Sequence, residues 1–227
     1  MLILAFETAS KLASAAIRRD DALLCESVAA ATRTHSETLM PMADELMASA
    51  GVSPADIEAV AVDHGPGSFT GVRIGVCLAN AFGMAQNIPV VGVTSLRVLN
   101  RRFAFLGLPV CAIIDARNEN VYAALYQNGT ETLAPQAIQI DALLSQMPVG
   151  ALFTGDGAQV YEEKIAQAVQ DAIVAPAHCG LLRAGAVAGV AAQTLRMRPD
   201  FTLYKEARPL YLRPSQAERL YKAPQEV

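Results

Sequence analysis

At 227 residues, against about 150 per domain, the chain makes one large domain or two small ones and is long enough to bury a core without disulfide staples. Apolar residues are 52% and charged residues 18%, which excludes intrinsic disorder and a coiled coil. A net charge of −4 and an isoelectric point near 5.4 exclude a broad surface that grips a polyanion, so a nucleic acid would be held locally or jointly with another protein.

Residues 2–6 read as a short buried strand ending on the polar pair Glu7-Thr8. Strands at 13–19 and 23–31 follow, joined by Asp20-Asp21, where short carboxylates favour a tight turn; the three make an antiparallel meander. Leu39, Met42, Ala43, Leu46, Met47 and Ala50 then recur at helical spacing. Thr34 or Ser36 would cap that helix, Pro41 would sit near its first turn or kink it, and Gly51 would stop it. A buried strand at 57–62 leads into Gly65-Pro66-Gly67-Ser68-Phe69-Thr70-Gly71, and 72–86 reads as helix. A strand at 89–93 and a helix at 95–105 complete the first half.

The second half repeats the plan. A strand at 110–114 ends in Asp115, a strand at 121–126 follows, and Asn128-Gly129 signals a hairpin into 130–140. A short helix at 141–146, a strand at 151–154, the turn Gly155-Asp156-Gly157 and helices at 159–170 and 180–196 come next, with a polar tail from Pro214. Both halves open with an apolar strand that ends in a carboxylate and continues into a hairpin, so the chain divides into 1–107 and 108–227 as a degenerate duplication.

The glycine loop lets backbone amides approach a ligand at a helix N-terminus, which suits an anion, phosphate first; Gly65, Gly67, Ser68, Thr70 and Gly71 are the candidate contacts. No Gly-Lys-Ser/Thr closes it and no acid stands about 20 residues on, so neither a Walker loop nor a dinucleotide fingerprint is present. The same glycines would equally serve a tight turn and close packing. Gly71, Gly75, Ala79 and Gly83 form a bare row along the next helix, and each glycine there costs up to about 1 kcal/mol against alanine. A row like this needs a close neighbour, which either this chain's interior or a partner supplies. The helix at 36–50 carries Leu39, Met40, Ala43 and Met47 in a broad apolar stripe, and these eight residues are the candidate partner interface.

Other chemistry is weakly signalled. Ser68 and His64 lack a nucleophile elbow and an orienting third group, so no catalytic residue is assigned. Cysteines at 25, 77, 111 and 179 form no CxxC pair and are expected as small buried apolar residues; the histidines at 35, 64 and 178 form no cluster, so no metal site is assigned. Glu7 and Asp115 could share a metal or polarise a water, but capping by backbone amides is the favoured role. Residues 196–222 hold seven basic and three acidic side chains, read as a solvated face with phosphate contact as the rival. The N-terminus lacks a basic region before its apolar run and no stretch reaches the roughly 18 apolar residues that span a bilayer, so a cytoplasmic protein with no membrane contact is expected.

The segments Leu2-Ile-Leu-Ala-Phe-Glu-Thr-Ala9, Arg33-Thr-His-Ser36, Gly65-Pro-Gly-Ser-Phe-Thr-Gly-Val-Arg-Ile-Gly75, Ile114-Asp-Ala-Arg117 and Pro209-Leu-Tyr-Leu-Arg213 together resemble the TsaB (YeaZ) family. The resemblance implies an α/β fold of ASKHA type, a duplicated ribonuclease-H-like plan with two mixed five-stranded sheets and flanking helices. It implies a non-catalytic partner of TsaD, which transfers a threonylcarbamoyl group to adenosine 37 of tRNA, with TsaE joining and tRNA met only through the complex. It also implies that the helices near 36–50 and 71–86 form the surface used for a homodimer or for TsaD. No cofactor is expected beyond weak binding of ATP or ADP. Glu7 stands where ASKHA phosphotransferases keep an aspartate, one methylene longer than the metal-water geometry there uses. The alternative is an ATP-dependent small-molecule phosphotransferase or ATPase that uses the glycine loop.

Overall fold

The structure is a computed structural model that describes residues 1–30, 35–198 and 200–214, with the backbone only at 35. The first unit comprises β1 (Leu2–Glu7), β2 (Leu12–Arg19), β3 (Ala22–Ala30), α1 (His35–Ala50), β4 (Ala59–Asp63), α2 (Phe69–Gln86), β5 (Val90–Val93) and α3 (Ser95–Arg101). The second comprises β6 (Val110–Asp115), β7 (Asn120–Gln127), β8 (Thr130–Gln139), α4 (Ile140–Leu144), β9 (Leu152–Thr154), α5 (Asp156–Val160), α6 (Glu162–Ala168), β10 (Ile173–Val174) and α7 (Ala184–Met197).

The two sheets have the same topology. Strand order is β3-β2-β1-β4-β5 in one and β8-β7-β6-β9-β10 in the other, each an antiparallel meander continued by two parallel strands. This is the mixed α/β duplication that the sequence implies. The turns follow from their residues: Asn128 and Gly129 both adopt positive φ, as a two-residue hairpin needs, and Asp20 supplies the left-handed residue between β2 and β3.

The helices do not respect a division at 107. α7, from the second half, packs on β1, β2, β4 and β5 of the first sheet, whereas α3, from the first half, packs on β6 and β7 of the second. Ala112, Ile114, Ala124 and Tyr126 consequently share one apolar core with the first sheet. β1 is buried along its whole length, which requires cover on both faces. Alternation of side chains supplies it: Thr8 points to α2, and Glu7 points to the α7 side through Ser14. Each large side chain buried this way, such as Leu4 or Phe6, contributes about 1.5–3 kcal/mol.

Several boundaries differ from the sequence expectation for local reasons. α2 begins at Phe69 because Ser68 caps it, its hydroxyl accepting from the Gly71 amide. Pro41 lies exposed inside α1, and the helix continues through it rather than starting after it. The expected helix at 159–170 is two, broken at Tyr161, and Asp156 belongs to the first of them rather than to a turn. Ile140 begins α4 instead of ending β8, and the two-residue strand β10 has no counterpart in the reading above. Capping by Thr34 and the tail beyond 214 lie outside the described residues. All four cysteines are free, and only Cys111 is fully buried; Cys77 is exposed, which corrects its expected burial. Among the described residues, no helix is long and apolar enough to cross a membrane.

Candidate interaction surface and the glycine loop

β4 ends on Asp63, whose Oδ1 accepts from the Gly65 amide at 2.9 Å and from the Ser95 hydroxyl at 2.6 Å, tying the loop to the start of α3. Gly65 has φ +102°, a conformation that side chains rarely adopt. The Ser68 amide then donates to the Ala9 carbonyl at 2.8 Å, and the Thr8 hydroxyl donates to the Gly71 carbonyl at 2.7 Å. A Cβ on Gly67 would strike the Ala9 carbonyl, and one on Gly71 the Thr8 carbonyl. The glycines are therefore spent on close approach to the turn between β1 and β2.

The phosphate reading of Gly65, Gly67, Ser68, Thr70 and Gly71 loses three of its five backbone donors to these contacts. The amides of Gly65, Ser68 and Gly71 already donate to Asp63, Ala9 and the Ser68 hydroxyl, so a phosphate would have to displace acceptors within the chain.

The bare row on α2 has a similar explanation. A Cβ on Gly75 would meet the Thr8 hydroxyl and one on Gly83 would meet Val90 Cγ2, so the row packs on this chain's own sheet. Gly71, Gly75, Ala79 and Gly83 are all buried, as are Leu39, Ala43 and Met47 on α1. Seven of the eight candidate interface residues thus face inward, and the close neighbour they need is intramolecular. Only Met40, 37% exposed, stands at the surface.

The surface of the same helices carries a different set. Ile74, Cys77, Leu78, Ala81 and Met84 recur at steps of three, one, three and three along the outer side of α2, with Cys77, Ala81 and Met84 exposed and the other two half-buried. Met84 is 64% exposed. Arg73 is the only charged side chain of α2 and stands at one end of the stripe, and Glu37, Asp44 and Glu45 are exposed on α1. By composition an outer stripe of Ile, Cys, Leu and Ala is indistinguishable from a core stripe, and the one signal for it in the sequence is a second apolar phase beside the glycine row.

A strap with no regular structure, residues 201–214, ties this side together. Asn80 exchanges two hydrogen bonds with the backbone of Ala207, both 2.9 Å. The Leu210 amide donates to the His64 carbonyl at 2.8 Å, and His64 Nδ1 donates to the Arg208 carbonyl at 2.9 Å, which fixes the ring proton on Nδ1. Burial holds the His64 pKa below the usual imidazole range, against the pull of that hydrogen bond. Arg213 reaches the Ala116 carbonyl of the other sheet at 3.0 Å. The segment 209–213 is marked in the sequence only as family-like, and the role of Asn80 is not legible there because its partner is backbone 127 residues away.

Beneath the loop lies a buried carboxylate pair. Glu7 accepts from the Ser10 amide at 2.9 Å and from the Ser10 and Ser14 hydroxyls, and Ser14 in turn accepts from the Ala184 amide at the start of α7. Burial first, and the neighbouring Asp63 second, push Glu7 up to about 8; burial pushes Asp63 up to about 7. Asp115 instead accepts from the Arg117 amide and the Tyr161 hydroxyl, so it is occupied apart from Glu7. Among the described residues, no group of three or more metal-binding side chains is assembled. His64 is engaged by the strap and Ser68 by the α2 cap, so the two do not form a nucleophile–base pair.

The profile of the family described as TsaD, tRNA N6-adenosine threonylcarbamoyltransferase, matches residues 28–221. The tRNA threonylcarbamoyladenosine biosynthesis protein TsaB of Bacillus subtilis is 32% identical over 172 residues, 73% of this chain and 75% of that one. The solved structure of YeaZ from Pseudomonas aeruginosa superposes with a TM-score of 0.75 at 28% identity, covering 93% of this chain and 99% of that one. An activator of 2-hydroxyisocaproyl-CoA dehydratase from Clostridium difficile superposes with a TM-score of 0.54 over 88% of this chain and 97% of that one; at 11% identity this likeness concerns the fold alone.

Proposed function

The chain belongs to the TsaB (YeaZ) family of tRNA threonylcarbamoyladenosine biosynthesis, and on that premise we propose that it is the non-catalytic partner of TsaD in threonylcarbamoyl transfer to adenosine 37 of tRNA. The observation that carries this reading is the outer side of α2, where Cys77, Ala81 and Met84 are exposed and Ile74 and Leu78, half-buried against the core, complete an apolar stripe. An exposed apolar surface of this kind, with an arginine at one end, fits a protein partner. TsaD docks there, and apolar burial across the contact favours the TsaD conformation competent for transfer. TsaE and tRNA join the heterodimer in the cytoplasm, and without TsaD two copies of this chain cover the same stripe.

The phosphotransferase alternative has less support. The glycine loop is filled by Thr8 and Ala9, and the carboxylate at the end of β1 is enclosed by Ser10, Ser14 and Asp63. We infer no cofactor, and nucleotide binding at that loop is weak at most.

Ala81→Glu tests the reading. It places a carboxylate in the middle of the stripe at an exposed position, where the cost to the isolated fold is within about 0.5 kcal/mol. Loss of co-elution with TsaD, loss of reconstituted tRNA modification and an unchanged melting temperature are expected. Retained co-elution overturns the assignment of the surface.

A further inference from the structure

At the N-terminal end of the α2 stripe the strap and the helix build one aromatic and cationic group. Phe69, the first residue of α2, stacks on Tyr211 of the strap with ring centroids 4.6 Å apart and planes at 28°. The guanidinium carbon of Arg73 lies 4.0 Å above the Phe69 ring, and Arg73 Nε donates to the Tyr211 hydroxyl at 2.9 Å. Stacking on one face and a hydrogen bond through Nε fix the plane of the guanidinium. Its two terminal nitrogens have no partner among the described residues, and the side chain is exposed.

We propose that Arg73, held by Phe69 and Tyr211, is a charged anchor of the docking surface, receiving a carboxylate of the protein partner in a bidentate pair beside the apolar stripe. The proposal rests on the reading of the α2 side as the docking surface and adds the chemistry its partner must present. A planar guanidinium with its Nε engaged elsewhere presents paired terminal nitrogens that match two oxygens of a carboxylate or a phosphate, and its surroundings select between them. Ile74 and Cys77 lie within one turn of Arg73, so whatever reaches the guanidinium must also cover apolar surface, which a protein does and a sugar–phosphate backbone does not. The anchor is composite: α2 supplies the charge and the Phe69 ring beneath it, and the strap supplies the Tyr211 ring that backs Phe69 and the hydroxyl that aims the guanidinium. An arginine fixed before contact loses less side-chain freedom on docking than a free one.

The experiment titrates the full-length chain against TsaD from the same genome by calorimetry, at low and high salt, with melting curves as a fold control. Arg73→Ala is expected to raise Kd by about tenfold or more. Arg73→Lys keeps the charge without the planar fork and is expected to recover only part of that loss. Tyr211→Phe retains the ring and removes the hydroxyl, giving a smaller loss with an unchanged salt dependence. Ala81→Glu in the same series separates this proposal from the reading beneath it. If Ala81→Glu abolishes binding and Arg73→Ala leaves Kd within about twofold, the anchor is overturned and the docking surface stands. If neither variant changes Kd, both are overturned.

Discussion

Glu7 and Asp63 end adjacent parallel strands, one residue beyond the paired Phe6 and Val62, and both are fully buried on the side of the sheet that α7 covers. Neither forms an ion pair among the described residues, and Asp63 Oδ2 has no hydrogen-bond partner. Two carboxyls so placed resist ionising together, because each charge is desolvated and each repels the other. Each pKa is raised in the folded state, to about 8 and about 7 from ordinary values of 4.5 and 3.8. The stability that comes from keeping them neutral is therefore complete below the ordinary values and is lost as pH climbs towards 8. Glu7→Gln removes one titration, so its urea stability relative to the parent chain should improve from pH 5 to pH 8, by an amount on the order of 1–3 kcal/mol. A parent-minus-variant difference that is flat across that range would show that the pair does not hold a proton.

The glycine row gives a stability prediction in which backbone and side-chain obstacles behave differently. At Gly71 a methyl group meets the Thr8 carbonyl, which belongs to β1's continuation and cannot retreat. Gly71→Ala is expected to cost about 2–4 kcal/mol in chemical denaturation, outweighing the gain in helix propensity of up to about 1 kcal/mol. At Gly83 the obstacle is Val90 Cγ2, a side-chain atom. Gly83→Ala alone should destabilise, and Gly83→Ala with Val90→Ala should cost less than the sum of the two single variants. Additive costs would mean that the contact does not set the requirement for glycine.

These glycines also mark how far the sequence could be read. The duplicated strand plan was legible because apolar strands ending in Glu7 and Asp115 and the Asn128-Gly129 turn are local signals. The row at Gly71, Gly75, Ala79 and Gly83 was legible as a demand for a close neighbour, since helix propensity gives it no other reason. What the neighbour is was not legible: periodicity reports that a face is covered and is silent on whether β1 and β5 or another chain covers it. The outer stripe escaped for the same reason, as Cys77 and Ala81 would suit either side of a helix. The exchange of α3 and α7 between the sheets escaped because nothing local in Ser95–Arg101 or Ala184–Met197 names the sheet it will meet.

Asn80 holds the strap by a contact specific to its amide, since Oδ1 accepts from the Ala207 amide while Nδ2 donates to the Ala207 carbonyl. Asn80→Asp keeps the acceptor and loses the donor, leaving a carboxylate opposite a carbonyl. Faster amide exchange at Ala207 and Leu210 is expected, with protection in β1 and β4 unchanged, because those strands are closed by other contacts. Exchange that accelerates throughout β4 as well would mean that the strap is part of the global folding unit rather than a separately opening segment.

The four thiols provide a footprint of the docking surface that requires no substitution. Cys77 is exposed in the middle of the α2 stripe, Cys25 and Cys179 are half-buried, and Cys111 is enclosed in the second sheet, where burial pushes its thiol pKa far up. A maleimide reagent needs access and thiolate, so Cys77 should react first and Cys111 only on unfolding. Adding TsaD should slow labelling at Cys77 and leave Cys25 and Cys179, on other elements, unchanged. The half-buried thiols serve as internal controls: if all the rates fall together, the partner has altered breathing of the fold rather than covered α2, and if the Cys77 rate holds in a stable complex, TsaD binds elsewhere.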